Sequence, residues 1–302
     1  MMTRRSLSQI KRRELMDWLQ GYAFLAPSFL VLGVFTYLPV VYAFVLSFWR
    51  WRVLRGEPTF IGLGNYEFLF TSEDFWQAMW NTLYFALGSI PTGMAIALVI
   101  AIMLNRPLRG LAIYRTAYFL PTITSLVAVS IVWLWIYHPD VGLANYLFNL
   151  FGLPPVRWLN TPQSAMPALI ILGIWRGLGY NVIIYLAGLQ NIPQHLYEAA
   201  KIDGANRWQL FRHVTWPLLT PTSFFILIIA VINSFQSFTQ IHVMTQGGPV
   251  GSTTVIVYYL YQQAFQQFNM GYGSAIAMVL FAIILALTVI QMKVLGPRVH
   301  YQ

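Results

Sequence analysis

Long apolar runs separated by short polar connections dominate this chain. Six runs are long enough to cross a bilayer as helices: about 22–48, 80–104, 117–137, 166–189, 222–243 and 271–294. A helix needs about 20 residues to span roughly 30 Å of hydrocarbon. The first run is long enough to tilt or to extend past the core, and polar residues interrupt the fifth. The pattern predicts an all-α integral membrane protein with six transmembrane helices. Pro39 and Pro91 fall inside the first and second runs, where a missing N–H permits a bend. Between the third and fourth, Gly142 to Phe151 is a short apolar and aromatic stretch followed by Pro154-Pro155. It is too short to span, and with Trp158 nearby it fits an interfacial helix.

The basic residues orient these runs, because Lys and Arg close to a span resist translocation. They gather at Arg4, Arg5, Lys11, Arg12 and Arg13; at Arg106, Arg109 and Arg115; at Lys201, Arg207 and Arg212; and at Lys293 and Arg298. The opposite connections hold Arg50, Arg52, Arg55 and Arg157, and 244–270 has no charged residue. This alternation puts both ends on the cytoplasmic side, N-in and C-in. The expected divisions are a cytoplasmic N-terminal tail at 1–21, a membrane domain at 22–294 and a cytoplasmic tail at 295–302.

Composition agrees with this picture. The chain is 58% hydrophobic and only 9% charged, against about 25% charged in soluble domains. Its net charge of +9 does not indicate nucleic acid, because the basic residues sit in short blocks between apolar runs rather than on one face. There is no cysteine, and His138, His195, His213, His242 and His300 are too scattered for metal-ligand spacing. No catalytic, cofactor-binding or metal site is expected. The run from Tyr22 to Phe48 is too long for a signal-peptide core and reads as a retained first span.

One cytoplasmic connection has architecture of its own. Pro193 opens a helix, and Leu196, Ala199, Ala200 and Asp203 follow at helical spacing. Gly204 permits a tight turn, and a second short helix from Asn206 to Val214 ends near Pro217. Two readings are open: a helix pair lying on lipid headgroups, or a knob that docks into another protein. Glu198 and Asp203 weigh against anionic headgroups.

The string Glu198-Ala199-Ala200, three residues, Gly204, nine residues, Val214, one residue, Trp216-Pro217 resembles the EAA signature of binding-protein-dependent ABC importer permeases. Val214 and Trp216 stand where Ile and Leu are typical. Ala26-Pro27-Ser28, Phe60-Ile61-Gly62-Leu63-Gly64-Asn65-Tyr66, Leu186-Ala187-Gly188-Leu189-Gln190 and Thr245-Gln246-Gly247-Gly248-Pro249 are similar to sugar-transport permeases. The last string looks like the MalF-like or UgpA-like member of a permease pair, with a core similar to the permease domain over about 78–294.

The resemblance implies one membrane subunit of an importer in a bacterial or archaeal inner membrane. Its partners would be a second homologous permease, a dimeric cytoplasmic ATPase that binds ATP and Mg, an extracytoplasmic solute-binding protein, a sugar substrate and membrane lipids. Glu198, Ala199, Ala200, Asp203 and Gly204 would then form the ATPase-coupling segment. The chain has no Gly-rich phosphate loop followed by Lys-Ser/Thr, so ATP hydrolysis would belong to the partner. The chain would be a transporter subunit and not an enzyme.

Two groups of residues are candidates for the substrate pathway. Arg176 is the one ionisable residue well inside a predicted span, with Gly177, Gly179, Tyr180 and Asn181 beside it. Structural pairing, a pathway role and snorkelling all remain open for it. In the fifth run, Asn233, Gln236, Ser237 and Gln240 follow i, i+3, i+4, i+7, with Ser234, Phe235 and Phe238 between. That spacing predicts one polar helix face, serving either interhelical packing or a hydroxyl-rich solute. A permease for glycerol phosphate or another polyol would fit nearly the same residues. A secondary transporter or channel would lack a use for the docking knob.

Overall fold

The computed structural model describes residues 4–54, 56–105 and 110–296. Arg55, Arg106, Arg109, Arg298 and His300 lie outside the described residues. Helix α1 (Arg4–Leu32) passes through a π-helical turn (Gly33–Tyr37) into α2 (Leu38–Leu46). A small antiparallel hairpin follows, β1 (Trp49–Arg50) and β2 (Thr59–Phe60), with Trp49 opposite Phe60. Next come α3 (Gly64–Thr71), α4 (Glu73–Leu104), α5 (Leu111–Ile123), α6 (Leu126–Ile136), α7 (Leu143–Leu150) and α8 (Pro162–Gln190). The chain continues through α9 (Gln194–Ile202), α10 (Arg207–Leu210), a π turn (Phe211–Thr215) and α11 (Trp216–Leu218). It closes with α12 (Thr220–Phe235), α13 (Thr239–Met244), α14 (Ile256–Tyr261), a π turn (Gln262–Gln266) and α15 (Met270–Val294).

Among the described residues, five helical stretches are long and apolar enough to cross a membrane: Leu15–Leu46, Glu73–Leu104, Pro162–Gln190, Thr220–Met244 and Met270–Val294. The α5–α6 pair, bent by 109°, makes a sixth if counted as one span. The segment expected as an N-terminal tail is helical from Arg4 onward and continuous with the first span. The stretch expected as an interfacial helix forms α7, and Pro91 sits inside an unbroken α4.

Two of the π turns have a local cause. A proline ring clashes with the carbonyl four residues back, and it removes one i→i−4 bond. Just ahead of Pro39 and of Pro217 the helix widens: Leu38 N–H donates to the Gly33 carbonyl, and Trp216 N–H to the Phe211 carbonyl. The extra residue in the turn makes room for the ring.

Packing is organised around α4 and α8, which touch along much of their length. Their backbones approach where a side chain is missing. A Cβ on Gly88 would lie 2.7 Å from Ile170 Cδ1, and one on Gly173 would lie 3.1 Å from Phe85 Cζ. Small residues at helix contacts are what membrane bundles use, because lipid supplies no hydrophobic drive between helices. One core gathers Leu69, Phe75, Tyr272 and Ile276; a second gathers Phe85, Tyr137, Met166, Leu169 and Ile241. A third, at the other end of the bundle, joins Leu104, Leu189, Ile192, Leu219 and Ile226. The most apolar stretch of Leu15–Leu46 is unburied, and α2 meets the bundle mainly through α15.

Three buried asparagines hold the irregular connections at one end. Asn65 Nδ2 donates to the carbonyls of Ser47 (2.8 Å) and Trp49 (3.0 Å), pinning the chain where α2 ends. Asn81 Nδ2 donates to the carbonyls of Gly251 (2.9 Å) and Thr254 (3.0 Å), fastening the connection after α13 onto α4. Thr82 Oγ1 beside it accepts the Ile256 N–H at 2.9 Å. Asn145 donates to the Pro139 and Val156 carbonyls, and its Oδ1 accepts from Val156 N–H and Trp158 Nε1. Each amide satisfies backbone groups that have no helix or sheet partner.

Asn81→Ala is expected to leave two backbone carbonyls without that donor. The purified protein should lose about 1–3 kcal/mol of stability, read as a lower thermal unfolding midpoint in detergent. Substitution of the exposed Asn233 should leave that midpoint nearly unchanged.

Candidate functional site

Two membrane-length elements are broken, and both breaks face the same space. The α5–α6 bend falls at Thr124 and Ser125, whose backbones are extended with ψ of 144° and 126°. Thr124 Oγ1 donates to the Leu120 carbonyl at 2.8 Å, and Thr122 Oγ1 donates to the Arg176 carbonyl on α8 at 3.2 Å. The second break separates α12 from α13 at Gln236–Phe238, where Phe238 has φ −139° and ψ −59°. Non-helical backbone at membrane depth persists only where it is buried in protein or lines a water-filled cavity.

A cavity of about 460 Å³ lies between these breaks, α4 and α8. Its volume falls in the usual range for ligand sites, about 300–1,000 Å³. α4 contributes Phe85, Ser89 and Gly93; the α5–α6 bend contributes Thr122 and Leu126. α8 contributes Gly173, Arg176, Gly177, Tyr180 and Asn181, and the α12–α13 region Asn233, Ser234, Ser237 and Gln240. Ser234 and Gln240 are buried, Arg176 and Ser237 half-buried, and Asn233 and Tyr180 exposed. Gln240 Nε2 donates to Ser237 Oγ at 3.2 Å. Hydroxyls and amides with Phe85 and Tyr180 can serve a polyhydroxylated solute, since sugars present hydroxyls at their edges and C–H faces to aromatic rings.

The candidate pathway residues therefore meet in one place, with one exception. Gln236 does not line the cavity and is exposed. The expected single helix face corrects accordingly: the helix ends at Phe235, so the i+3 and i+7 positions no longer lie on one continuous helix. Ser237 and Gln240 reach the cavity because the break redirects the chain. Ser89 and Thr122 were not assigned to the pathway by sequence. Thr122 follows Pro121 inside an apolar run, the signal that marks a vulnerable helix.

The coupling candidate forms as a two-helix unit between α8 and α12. Pro193 caps α9, which ends at Ile202. The turn closes through Gly204 N–H to the Lys201 carbonyl (3.0 Å) and Ala205 N–H to the Ala200 carbonyl (2.9 Å). That pair of bonds is a Schellman cap, and Gly204 adopts φ +83° in it. Nothing lies within 4 Å of a Cβ built on Gly204, so what restricts this position is backbone conformation rather than crowding. Asn206 and Gln209 then form a reciprocal capping box that starts α10. Glu198, Ala199, Asp203 and Gly204 are exposed, with Ala200 half-buried. Ile202 is 87% exposed and Trp208 64%, a high apolar exposure for a connection rich in polar residues. The inner face is anchored by Tyr197, whose hydroxyl shares a 3.1 Å hydrogen bond with Thr215 Oγ1.

Residues 89–301, which hold this unit and most of the cavity, match the binding-protein-dependent transport system inner membrane component family. The chain belongs to that family. This inner membrane component is also 39% identical over 291 residues to the probable ABC transporter permease protein YesP of Bacillus subtilis (strain 168). That match covers 95% of this chain and 93% of YesP. It is 37% identical over 278 residues to the arabinooligosaccharides transport system permease protein AraP of the same organism, covering 91% and 88% of the two chains. Among solved structures it resembles a bacterial ABC transporter involved in the import of the acidic polysaccharide alginate. The TM-score is 0.81 at 28% identity, over 97% of this chain and 99% of that one. The relatives are transporter permease subunits, not enzymes, and this chain is a multi-pass permease of the ABC type.

A paired substitution tests the close approach that shapes the cavity wall. A Cβ on Gly179 would collide with the Tyr118 backbone carbonyl, whereas one on Gly177 would meet nothing within 4 Å. Gly179→Ala should destabilise the purified permease by about 1–3 kcal/mol through overpacking. Gly177→Ala should be neutral or slightly stabilising, since alanine favours helix by about 1 kcal/mol over glycine. Thermal unfolding in detergent distinguishes the two.

Proposed function

We propose that this chain is one of two homologous permease subunits of an ATP-driven importer that moves a sugar or oligosaccharide into the cytoplasm. The observation that carries this reading is the polar cavity bounded by two broken helices, on a chain whose other end presents an exposed coupling unit. The cavity supplies a weak site for a neutral, hydroxyl-rich part of a solute. The sugar-transport relatives support the substrate class.

In this reading the chain crosses the membrane six times, the bent α5–α6 pair counting as one span, with both ends cytoplasmic. An extracytoplasmic binding protein delivers solute at the end carrying α7 and the 245–255 connection. A dimeric ATPase, which binds ATP and Mg, docks on Glu198, Ala199, Ala200, Asp203 and Gly204. A binding-protein-dependent system and the alginate transporter's architecture support such partners. A secondary transporter or channel would leave the exposed Ile202, Trp208 and Glu198 of the α9–α10 unit without a use.

Topology is checked by cysteine labelling in intact cells. Positions Glu198 and Lys201 should label only from the cytoplasm, and Trp158 and Pro249 only from outside. Outside-only labelling at Glu198 would defeat the docking reading.

Coupling and transport have separate tests in the importer reconstituted with its ATPase and binding protein. Glu198→Lys should leave insertion intact and suppress solute-driven ATPase activity and uptake by about tenfold or more, through like-charge or unpaired-charge contact. Gly204→Val should do the same by straining the φ +83° turn, at roughly 1–2 kcal/mol or more. Ala at Ser234, Ser237 and Gln240 should instead lower uptake while the ATPase still co-purifies. Unchanged uptake in the second set would reduce the cluster to packing.

A further inference from the structure

Arg176 brings a positive charge to the wall of a cavity lined, among the described residues, by no carboxylate. The polar groups around it, including Ser89, Asn181, Ser234 and Gln240, are neutral. Its Nε is buried without a hydrogen-bond partner among the described residues, while its backbone is tied to α5 by Thr122 Oγ1. A guanidinium carries five donors in a planar fork, and a donor buried without a partner is costly. Snorkelling does not relieve it. Arg176 sits midway along α8 (Pro162–Gln190), so at 1.5 Å per residue each end is roughly 20 Å away. Beside it, Gly177 leaves open space where a side chain would stand. A fixed cation, open room next to it and surrounding hydroxyls and amides together describe a receptor for an anion that also carries hydroxyls.

Building on the cavity as solute path, we propose that the solute it takes is an anionic carbohydrate, one bearing a carboxylate or a phosphate. Arg176 pairs with the acidic group, and Ser234, Ser237 and Gln240 bind hydroxyls. Arg176 is then a specificity residue: a charge-assisted pair favours the acid over its uncharged counterpart by roughly ten- to a hundredfold.

The test uses the full importer assembled with its ATPase and companion permease, carrying Asn233→Cys at the exposed position on the cavity wall. A small water-soluble thiol reagent is added with digalacturonate or its uncharged dimethyl ester, and with glycerol 3-phosphate or glycerol. At least one acid should protect the cysteine at a concentration about tenfold or more below its neutral counterpart, and which acid does so identifies the preferred group. Arg176→Gln should erase the preference while the neutral compounds still protect, and Arg176→Lys should retain part of it. Equal protection by acid and neutral compound, or a preference that survives Arg176→Gln, overturns the inference and leaves the solute-path reading standing. Absence of protection by all four overturns both. If both Arg176 variants release the companion permease, Arg176 pairs subunits and the inference falls.

Discussion

Hydrocarbon offers no hydrogen bonds to a peptide group, and that constraint governs where this chain can depart from a helix. Every unpaired N–H or C=O in lipid costs several kcal/mol, so long helices are the default across the described spans. The departures that occur inside spans are compensated locally. Thr124 Oγ1 closes onto the Leu120 carbonyl at the α5–α6 bend, and Gln236 N–H onto the Ile232 carbonyl at the end of α12. Residues at or beside both breaks, Thr122, Leu126 and Ser237, line the cavity, where water or a solute can serve polar groups. A polar solute and a broken helix thus need the same thing, a place within the membrane that lipid cannot reach.

The same constraint explains what the sequence made legible. Apolar length located five spans, and a sixth where the bent α5–α6 pair is counted as one, because a span in lipid has few ways of being written. The α9–α10 unit was legible for a different reason: Pro193, Gly204 and Asn206 are punctuation whose meaning is local, and each does in the structure what its backbone preference predicts. The fifth run failed as a single face because i, i+3, i+4, i+7 spacing presupposes a helix that continues. The Asn-Ser-Phe-Gln-Ser string is polar enough to support either a striped helix or a broken one, and nothing in its spacing decides between them. Of the three asparagines, the one on α4 was invisible for a related reason. Asn81 acts on Gly251 and Thr254, partners separated from it by most of the chain, and nothing local marks it.

Close backbone approach is the second determinant of the site. Gly88 and Gly173 bring α4 and α8 together, Gly173 at the cavity wall itself, and Gly179 lets α8 seat against the Tyr118 carbonyl of α5. The α5 segment is thereby held by α8 on one side of its bend, with Thr122 adding a hydrogen bond to the Arg176 carbonyl. Gly177 in the same helix does the reverse, since its missing side chain leaves open space. Adjacent glycines in α8 therefore have opposite jobs, and spacing alone does not tell them apart.

The α9–α10 unit and the cavity are joined by packing rather than by a flexible linker. Capping bonds at both α9 and α10 stiffen the unit, and Tyr197 ties it to Thr215. Thr215 is buried, and the chain runs directly from it through α11 to Leu219, which is fully buried in the core shared with Leu104, Leu189 and Ile226. There, Gly188 admits Thr222 and Leu219 of the α11–α12 segment against α8. Ile226 lies one turn below Ala230, and Ala230 lines the cavity with Asn233 and Ser234. Close-packed side chains resist compression, so a displacement of α9 is passed on by contact through the π turn and α11 to α12. The backbone departs from the α-helix along that line at the π turn Phe211–Thr215, at Leu219 and again at Gln236–Phe238, beside the cavity. A helix interrupted at Gln236–Phe238 turns a displacement of α12 into a change in the polar groups that face the cavity, where a continuous helix would move as one piece.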